Sequence, residues 1–434
     1  MYVAILGRQP ELGIAELERV FSGKAVKPVS PQAVLIETEN FEVQRFGGVP
    51  KAGKVIMELP RGDWHQVSQK IVSYFTNEWS SFEGKITLGI SVYNFRINAR
   101  EVQKTGIILK QKLKKYNTSL RLIPNSDPEL NTAVSHHNKL GLAPNKVELL
   151  VVRTDDNKVI IAQSTGSQNI TAYAKRDQGR PKRDAFVGML PPKLAQIMIN
   201  LAIGQNNSMT RGSRTTDVNA VSNPLQPKPD QAQGPLSDLE QSRIANNSES
   251  KGKIIRILDP FCGTGVILQE AALMGYSVYG TDLSEKMIRY SRDNLNWLAD
   301  THHIEFDWYL HEGDATDTKW QQPIDAVVCE SYLGQPFSAP PSPAKLEEVV
   351  KNCNHIITEF LKNIRPQIES GTPICIAVPA WRDKNGKFTH LPLISTIARF
   401  GYKPHEYTNV SQNDMLYYRE DQIVARELLV LIKD

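Results

Sequence analysis

Residues 254–287 read IIRILDPFCGTGVILQEAALMGYSVYGTDLSEKM, and they decide the fold. IIRILDPF (254–261) is mostly apolar, with Arg256 and Asp259 the only charges, as expected of a strand buried on both faces. VILQEAALMG (266–275) has the length and composition of a helix, and SVYGTDL (277–283) is a second strand. Strand, glycine-rich turn, helix and strand in this order make a parallel βαβ unit.

The pattern continues downstream. SEKMIRYSRDNLNWLA (284–299) is a helix and IDAVVCE (324–330) a strand. A helix is expected near 343–369, then the strand TPICIAVPAW (372–381), a helix near 391–400 and strands near 413–418 and 422–432. The expected fold class is α/β, with a doubly wound, Rossmann-like parallel sheet. Upstream, elements are shorter and mixed. Strands are expected at 2–6, 86–95, 147–153 and 158–163, and helices at 12–22 and 98–116. In the second helix Val102, Leu109, Leu113 and Tyr116 share one face, opposite Arg100, Lys104 and Lys115. An α+β N-terminal region follows. Residues 205–252 have no aromatic residue and seven of Val, Ile, Leu or Met, which predicts a flexible insert.

The 434 residues suit two or three domains of ordinary globular composition. No apolar run approaches a bilayer span, and MYVAILGRQPELG lacks the basic start of a signal peptide. Cys262, Cys329, Cys353 and Cys375 form no CxxC pair, so a reducing, cytoplasmic setting is expected and no metal site. Residues 1–204 hold 28 Lys+Arg against 18 Asp+Glu, a net +10; the whole-chain +4 leaves −6 on the rest. The basic half points to an acidic partner, nucleic acid first, or simply to a solvated basic face. Eight of its basic residues fall between Arg96 and Arg121, with Glu101 the one acid.

Asp259-Pro260-Phe261-Cys262-Gly263-Thr264-Gly265 ends the first strand, and Asp282 ends the next, 17 residues beyond Gly265. A carboxylate there accepts hydrogen bonds from ribose hydroxyls. A dinucleotide site would show a third glycine, but Val266-Ile267-Leu268 follows. A ligand without pyrophosphate, such as S-adenosylmethionine, fits better. Asp314 follows the next strand-like stretch and is expected near the adenine, with a turn or helix-cap aspartate as the alternative. His136-His137 and His302-His303 have no metal-ligand partners, Cys262 reads as packing, and Trp297, Trp308 and Trp381 read as core.

DPFCGTG, LQEAALMG, GTDLSEKM and DNL together resemble the S-adenosylmethionine-binding half of the tRNA guanosine-10 N2-methyltransferase family, whose RNA-binding half contains a THUMP domain. A second block strengthens the resemblance: Arg176-Asp177, Arg180-Pro181, Arg183-Asp184, then Gly188-Met189-Leu190-Pro191-Pro192-Lys193-Leu194-Ala195 and Asn200-Leu201-Ala202. In that family this block packs beside the cofactor. The opening YVAILGRQPELGIAELE also resembles the family's start. The resemblance implies a class I methyltransferase sheet over 254–434, begun at 171–204 and interrupted by the insert at 205–253, behind a THUMP-like RNA-binding region over 1–170. It implies S-adenosylmethionine held by Asp259, Phe261, Cys262, Gly263, Thr264, Gly265, Asp282, Leu283, Asp314 and Ala315. It also implies tRNA as partner and, for some members, a small activating protein; oligomeric state stays open.

The family's catalytic D-P-P-Y-G is replaced here by Glu330-Ser331-Tyr332-Leu333-Gly334, without the prolines and with the aromatic one position earlier. An exocyclic guanine amine is a weak nucleophile because its lone pair is delocalised into the ring. A carboxylate accepting its N–H localises that pair, and an aromatic ring stacks on the extruded base. Glu330, Ser331 and Tyr332 are therefore the expected catalytic residues. Arg96, Arg100, Lys104, Lys112, Lys115 and Arg121 are expected to hold phosphates. Two alternatives remain: a catalytically silent protein that binds RNA and S-adenosylmethionine, and an amino-methyltransferase of another RNA or DNA base. A nicotinamide-dependent oxidoreductase is remote.

Overall fold

A computed structural model describes residues 1–184, 189–204 and 254–434. Gly188 and the insert expected at 205–253 lie outside the described residues. Within 1–170, eight strands form one mixed sheet: β1 Tyr2–Ile5, β2 Val26–Ser30, β3 Ala33–Ile36, β4 Lys51–Leu59, β5 Lys85–Tyr93, β6 Ser119–Leu122, β7 Lys146–Arg153 and β8 Val159–Ser167. Their order is β2-β3-β1-β4-β8-β7-β5-β6. The pairs β5–β6 and β5–β7 are parallel and the others antiparallel. Helix α1 (Pro10–Phe21) opens with Pro10, whose missing N–H costs nothing in a first turn. Helix α2 (Trp64–Trp79) is capped by Asp63, which accepts from the Gln66 N–H at 2.9 Å. Helix α3 (Ala99–Lys114) begins with a reciprocal Asn98–Glu101 capping box. It is shorter than expected, so Tyr116 falls outside it and stands 54% exposed rather than in the core. Helices α4 (Thr132–His137) and α5 (Ile170–Gln178) complete this half.

The C-terminal sheet contains β9 Arg256–Asp259, β10 Ser277–Asp282, β11 Trp308–Glu312, β12 Ala326–Glu330, β13 Pro373–Arg382, β14 Phe388–Thr389, β15 Tyr402–Pro404, β16 Leu416–Tyr417 and β17 Val424–Lys433. Its main path is β11-β10-β9-β12-β13-β17-β15. Strands β9 to β13 are parallel, and β17 runs antiparallel to β13 through nine residue pairs. The doubly wound sheet expected from the sequence is present. The strand order reverses between β9 and β12, and that switch point opens a crevice at the carboxyl ends of the strands. Helices α6 Pro192–Ile203, α7 Val266–Leu273, α8 Glu285–His302 and α9 Pro343–Ile364 accompany the sheet. Strand β9 stops at Asp259, before Pro260. Helix α9 ends ahead of Pro366, which lies in a 3-10 turn, and 392–400 is 3-10 helix as well. Trp381 is core, whereas Trp297 and Trp308 are half-buried. Among the described residues no helix is long and apolar enough to cross a membrane.

The two sheets meet at α6, where every residue but Lys193 is buried. One apolar cluster joins Leu12 and Ala15 of α1 to Leu194, Met198 and Leu201 of α6 and to Ile257, Val328 and Leu428 of the C-terminal sheet. Polar groups of α1 fix the junction. Arg19 donates from Nε to the Leu201 carbonyl at 2.6 Å and from Nη2 to that of Ala202 at 2.8 Å, satisfying orphan carbonyls at the end of α6. Glu18 accepts from the Thr408 and Asn409 N–H groups, each at 2.7 Å. Glu16, fully buried, accepts from Gly47 N at 2.9 Å, Gly48 N at 2.8 Å and Asn200 Nδ2 at 2.7 Å. Glu16→Ala leaves the Gly47 and Gly48 N–H groups buried without an acceptor and strips Asn200 Nδ2 of one of its two, the other being the Arg45 carbonyl at 2.8 Å. It should lower the unfolding free energy by about 3 kcal/mol or more in a denaturant titration. A loss within error of zero would contradict this account of the junction.

Candidate active site

The loop from Asp259 to Gly265 is folded by its own backbone and by two neighbouring elements. Cys262 N donates to the Thr281 carbonyl at 2.9 Å, and Gly265 N closes a tight turn on the Cys262 carbonyl at 2.7 Å. Gly263 and Gly265 have φ of 53° and 78°, the left-handed region where glycine is unstrained. The missing Cβ of Gly265 makes room for α8, since a Cβ there would sit 2.9 Å from Ser291 Oγ. From α8, Ser291 Oγ donates to the Gly263 carbonyl at 2.8 Å and Asn294 Nδ2 to that of Thr264 at 2.8 Å. Asn294 also exchanges hydrogen bonds with the Lys182 backbone, at 2.9 and 3.0 Å. That contact ties the 176–184 segment to the loop. One turn along α7, Arg176 grips Glu270 with both ends of its fork, at 2.6 and 3.1 Å.

Asp282 closes the loop. Its Oδ2 accepts from Gly263 N and its Oδ1 from Ser284 N, both at 2.9 Å. Each oxygen keeps a lone pair for a ligand hydroxyl. Burial raises the Asp282 carboxyl above its usual range, and burial pushes that of Asp259 well up. Asp259 Oδ1 accepts from Phe261 N at 3.1 Å, and Phe261 packs edge-on against Phe360 at 5.2 Å. Cys262 is buried with its thiol pushed well up by desolvation, in keeping with packing and not nucleophilic attack. Thr264 and Ala315 are buried, whereas Leu283 stands 69% exposed. Asp314 Oδ1 accepts from Thr316 N at 2.9 Å and Thr316 Oγ1 at 2.7 Å, so this acid organises its own turn.

The donor set fits an adenosyl sulfonium. Two carboxylates at adjacent strand ends suit a ligand that is cationic and hydroxylated, and they would repel a pyrophosphate. Exposed Leu283 offers an apolar surface beside Asp282.

Glu330 ends β12 and Ser331 follows it, buried, with Oγ and N both directed to the Ala377 carbonyl at 2.9 and 3.0 Å. The Ser331 hydroxyl thus secures the turn after the strand. Tyr332 is 43% exposed. It borders a cavity of about 330 Å³ with Gln335, Lys345, Glu348, Val349 and Asn352. Glu330 is not isolated: Oε1 accepts from Arg426 Nε of β17. Sequence spacing gives no sign of this partner, although Arg426 does stand out in the apolar run VARELLVLIK. Arg180 is also informative, being 3% exposed with Nε and Nη2 unpartnered among the described residues.

The six basic residues are all exposed, and none forms an ion pair among the described residues. Arg100, Lys104, Lys112 and Lys115 fall within about a third of the circumference of α3 and its C-terminal cap. Arg96 precedes α3 and Arg121 lies on β6, which packs against it. No group of His, Cys, Asp or Glu among the described residues is arranged to hold a metal.

A family model described as a methyltransferase domain matches residues 251–381. Over 128 residues, 30% of this chain, the sequence is 36% identical to the tRNA (guanine(10)-N2)-dimethyltransferase of Methanothermobacter thermautotrophicus, covering 34% of that protein. It is 39% identical over 83 residues to the Pyrococcus abyssi protein of the same name, covering 19% of this chain and 21% of that one. The chain thus spans about a third or less of the length of these two relatives. A crystal structure of TrmN from Thermus thermophilus aligns over 100% of this chain and 99% of its own, at 14% identity and a TM-score of 0.48. The chain carries a methyltransferase domain, a class whose methyl donor is S-adenosylmethionine, and the family resemblance read from the motifs agrees with the names of these relatives.

Removing Asp282 deletes the loop anchor and the carboxylate placed to accept a ligand hydroxyl. Asp282→Ala should lower affinity for S-adenosylmethionine by 100-fold or more in calorimetric titration. Affinity within threefold of the unsubstituted protein would contradict this account of the loop.

Proposed function

We propose that this chain transfers a methyl group from S-adenosylmethionine to the exocyclic N2 amine of a guanosine in tRNA, at position 10 by its likeness to the relatives named for that position. The observation that carries the proposal is the convergence of Asp259, Asp282, Glu330 and Tyr332 at one edge of the sheet, on strands β9, β10 and β12 and the turn after β12. Bound there, S-adenosylmethionine supplies an electrophilic methyl on a cationic sulfur. Asp282 holds the ribose, and Asp259 adds acceptor capacity beneath the loop. Glu330 Oε2, which accepts no hydrogen bond among the described residues, is free to take an N–H of the amine and localise its lone pair. The Tyr332 ring stacks on the extruded base, and the cavity beside it has room for that base. Ser331 contributes by fixing the turn between the two.

The N-terminal region, 1–170, is the THUMP-like RNA-binding part in this reading, and 171–204 with 254–434 the methyltransferase part. The exposed cations of α3, with Arg96 and Arg121, hold phosphates without reading sequence, so the shape of the tRNA selects the nucleotide. The four cysteines, all free and buried, favour a cytoplasmic setting. The Glu330–Arg426 ion pair is the one observation that favours a second reading, a silent protein that binds RNA and S-adenosylmethionine. One assay separates the two: transfer of labelled methyl to unmodified tRNA transcripts, with the product nucleoside identified by mass spectrometry. N2-methylguanosine should form and disappear when guanosine-10 is replaced. Lys104→Ala/Lys112→Ala/Lys115→Ala should raise KM for tRNA at least tenfold with kcat within twofold. Binding of both ligands without transfer would establish the silent reading.

A further inference from the structure

Glu330 and Arg426 come from strands that do not touch. Strand β13 lies between β12 and β17, with Glu330 opposite Ala377 and Arg426 opposite Pro379. Two strand spacings are about 10 Å, a gap that these two long side chains close by meeting over the sheet. The small side chains of Ala377 and Pro379 leave the space. By the alternation of strands, Glu330 lies on the same face as Val328, Arg426 on that of Leu428 and Asp259 on that of Ile257. Val328, Leu428 and Ile257 belong to one apolar cluster. The pair is therefore poised where that core opens into the crevice, with side-chain exposures of 16% and 9%.

We propose that Arg426 is a positioning residue for methyl transfer: by binding Oε1 of Glu330 it supplies the countercharge to this carboxylate and turns it so that Oε2 faces the substrate amine. The proposal rests on the function assigned above. Its physical basis is the set of charges around Glu330. On the same face the neighbouring strand β9 carries a second carboxyl, that of Asp259. Arg426 on β17 is the cation on the other side. A carboxylate in such surroundings without a cation takes up a proton, becomes a donor and loses the acceptor role that the amine needs. The single Nε–Oε1 contact also tethers a side chain one methylene longer than aspartate, and a charged donor at that point limits where its second oxygen can lie.

On this proposal the pair serves catalysis, whereas the silent reading takes it as occupying the carboxylate. The test uses the full chain and two variants, Arg426→Gln and Arg426→Lys. The Glu330 carboxyl is followed by carbon-13 NMR of glutamate-labelled protein, with Glu330→Gln assigning the signal. Methyl transfer to tRNA is measured as kcat across pH 6–10. In Arg426→Gln the Glu330 titration should move upward, and kcat at pH 7 should fall at least tenfold and recover as pH rises, with affinity for S-adenosylhomocysteine within threefold. Arg426→Lys should restore half or more of the kcat and an ionised Glu330. A Glu330 titration unmoved in Arg426→Gln, or a kcat loss with no pH dependence, would overturn the proposal. Should Arg426→Gln fail to fold, a folded Arg426→Lys that has lost transfer with Glu330 unmoved would overturn it equally. The titration needs no tRNA, so a wild type that transfers nothing would defeat the assigned function while the NMR still reads the effect of Arg426 on Glu330.

Discussion

The reversal of strand order between β9 and β12 is the constraint on which the site depends. Crossovers leave these neighbouring strands in opposite directions, so no helix covers their carboxyl ends and a crevice must form. Everything chemically distinctive in the C-terminal half ends at that edge: Asp259 on β9, Asp282 on β10 and Glu330 on β12. Three carboxylates beside one crevice would be unfavourable if each faced an apolar interior. Asp282 is held by two backbone N–H groups, Asp259 by one and Glu330 by a guanidinium. The remaining acceptor capacity is what a cationic, hydroxylated ligand can use.

A second dependence runs through α6. This helix is buried on all sides but for Lys193, so it can exist only where neighbouring elements cover it and partner its Gln196 and Asn200. The C-terminal sheet and α7 cover one part, and α1 covers another. The N-terminal sheet is therefore anchored to the methyltransferase core by burial, with Glu16, Glu18 and Arg19 of α1 satisfying backbone groups that burial would otherwise orphan. Helix α3 packs on the same sheet to which α1 belongs through β1, so its basic face is placed relative to the C-terminal sheet by this junction.

The C-terminal fold was legible because its parallel strands are buried on both faces, so ILDP, SVYGTD and AVVCE stand out as apolar runs separated by helical spacing. The loop was legible because DPFCGTG couples left-handed glycines to a strand-end acid. The N-terminal sheet was harder to read. Strands β2 and β4 are antiparallel and partly exposed, with patterns such as VKPVS that carry no clean alternation, and α2 is a helix beyond those expected, with Val67, Ile71 and Phe75 at helical spacing. Tyr116 lies outside the core because α3 stops at Lys114, and helical periodicity says nothing about where a helix stops. The Glu330–Arg426 pair joins residues 96 positions apart across an intervening strand, and only the register of β13 with its two neighbours reveals it. Ser331 likewise needed the structure, since its hydroxyl is committed to a carbonyl of the neighbouring strand.

The central claim is geometric: one ligand sits between Asp282 and Glu330 at the switch point. A crystal structure with S-adenosylhomocysteine bound tests it most directly. The account predicts both ribose hydroxyls within hydrogen-bond distance of the Asp282 carboxylate, and the sulfur facing Glu330 across the crevice between β9 and β12. A ligand held away from Asp282, or one whose sulfur points away from Glu330 and Tyr332, would contradict it.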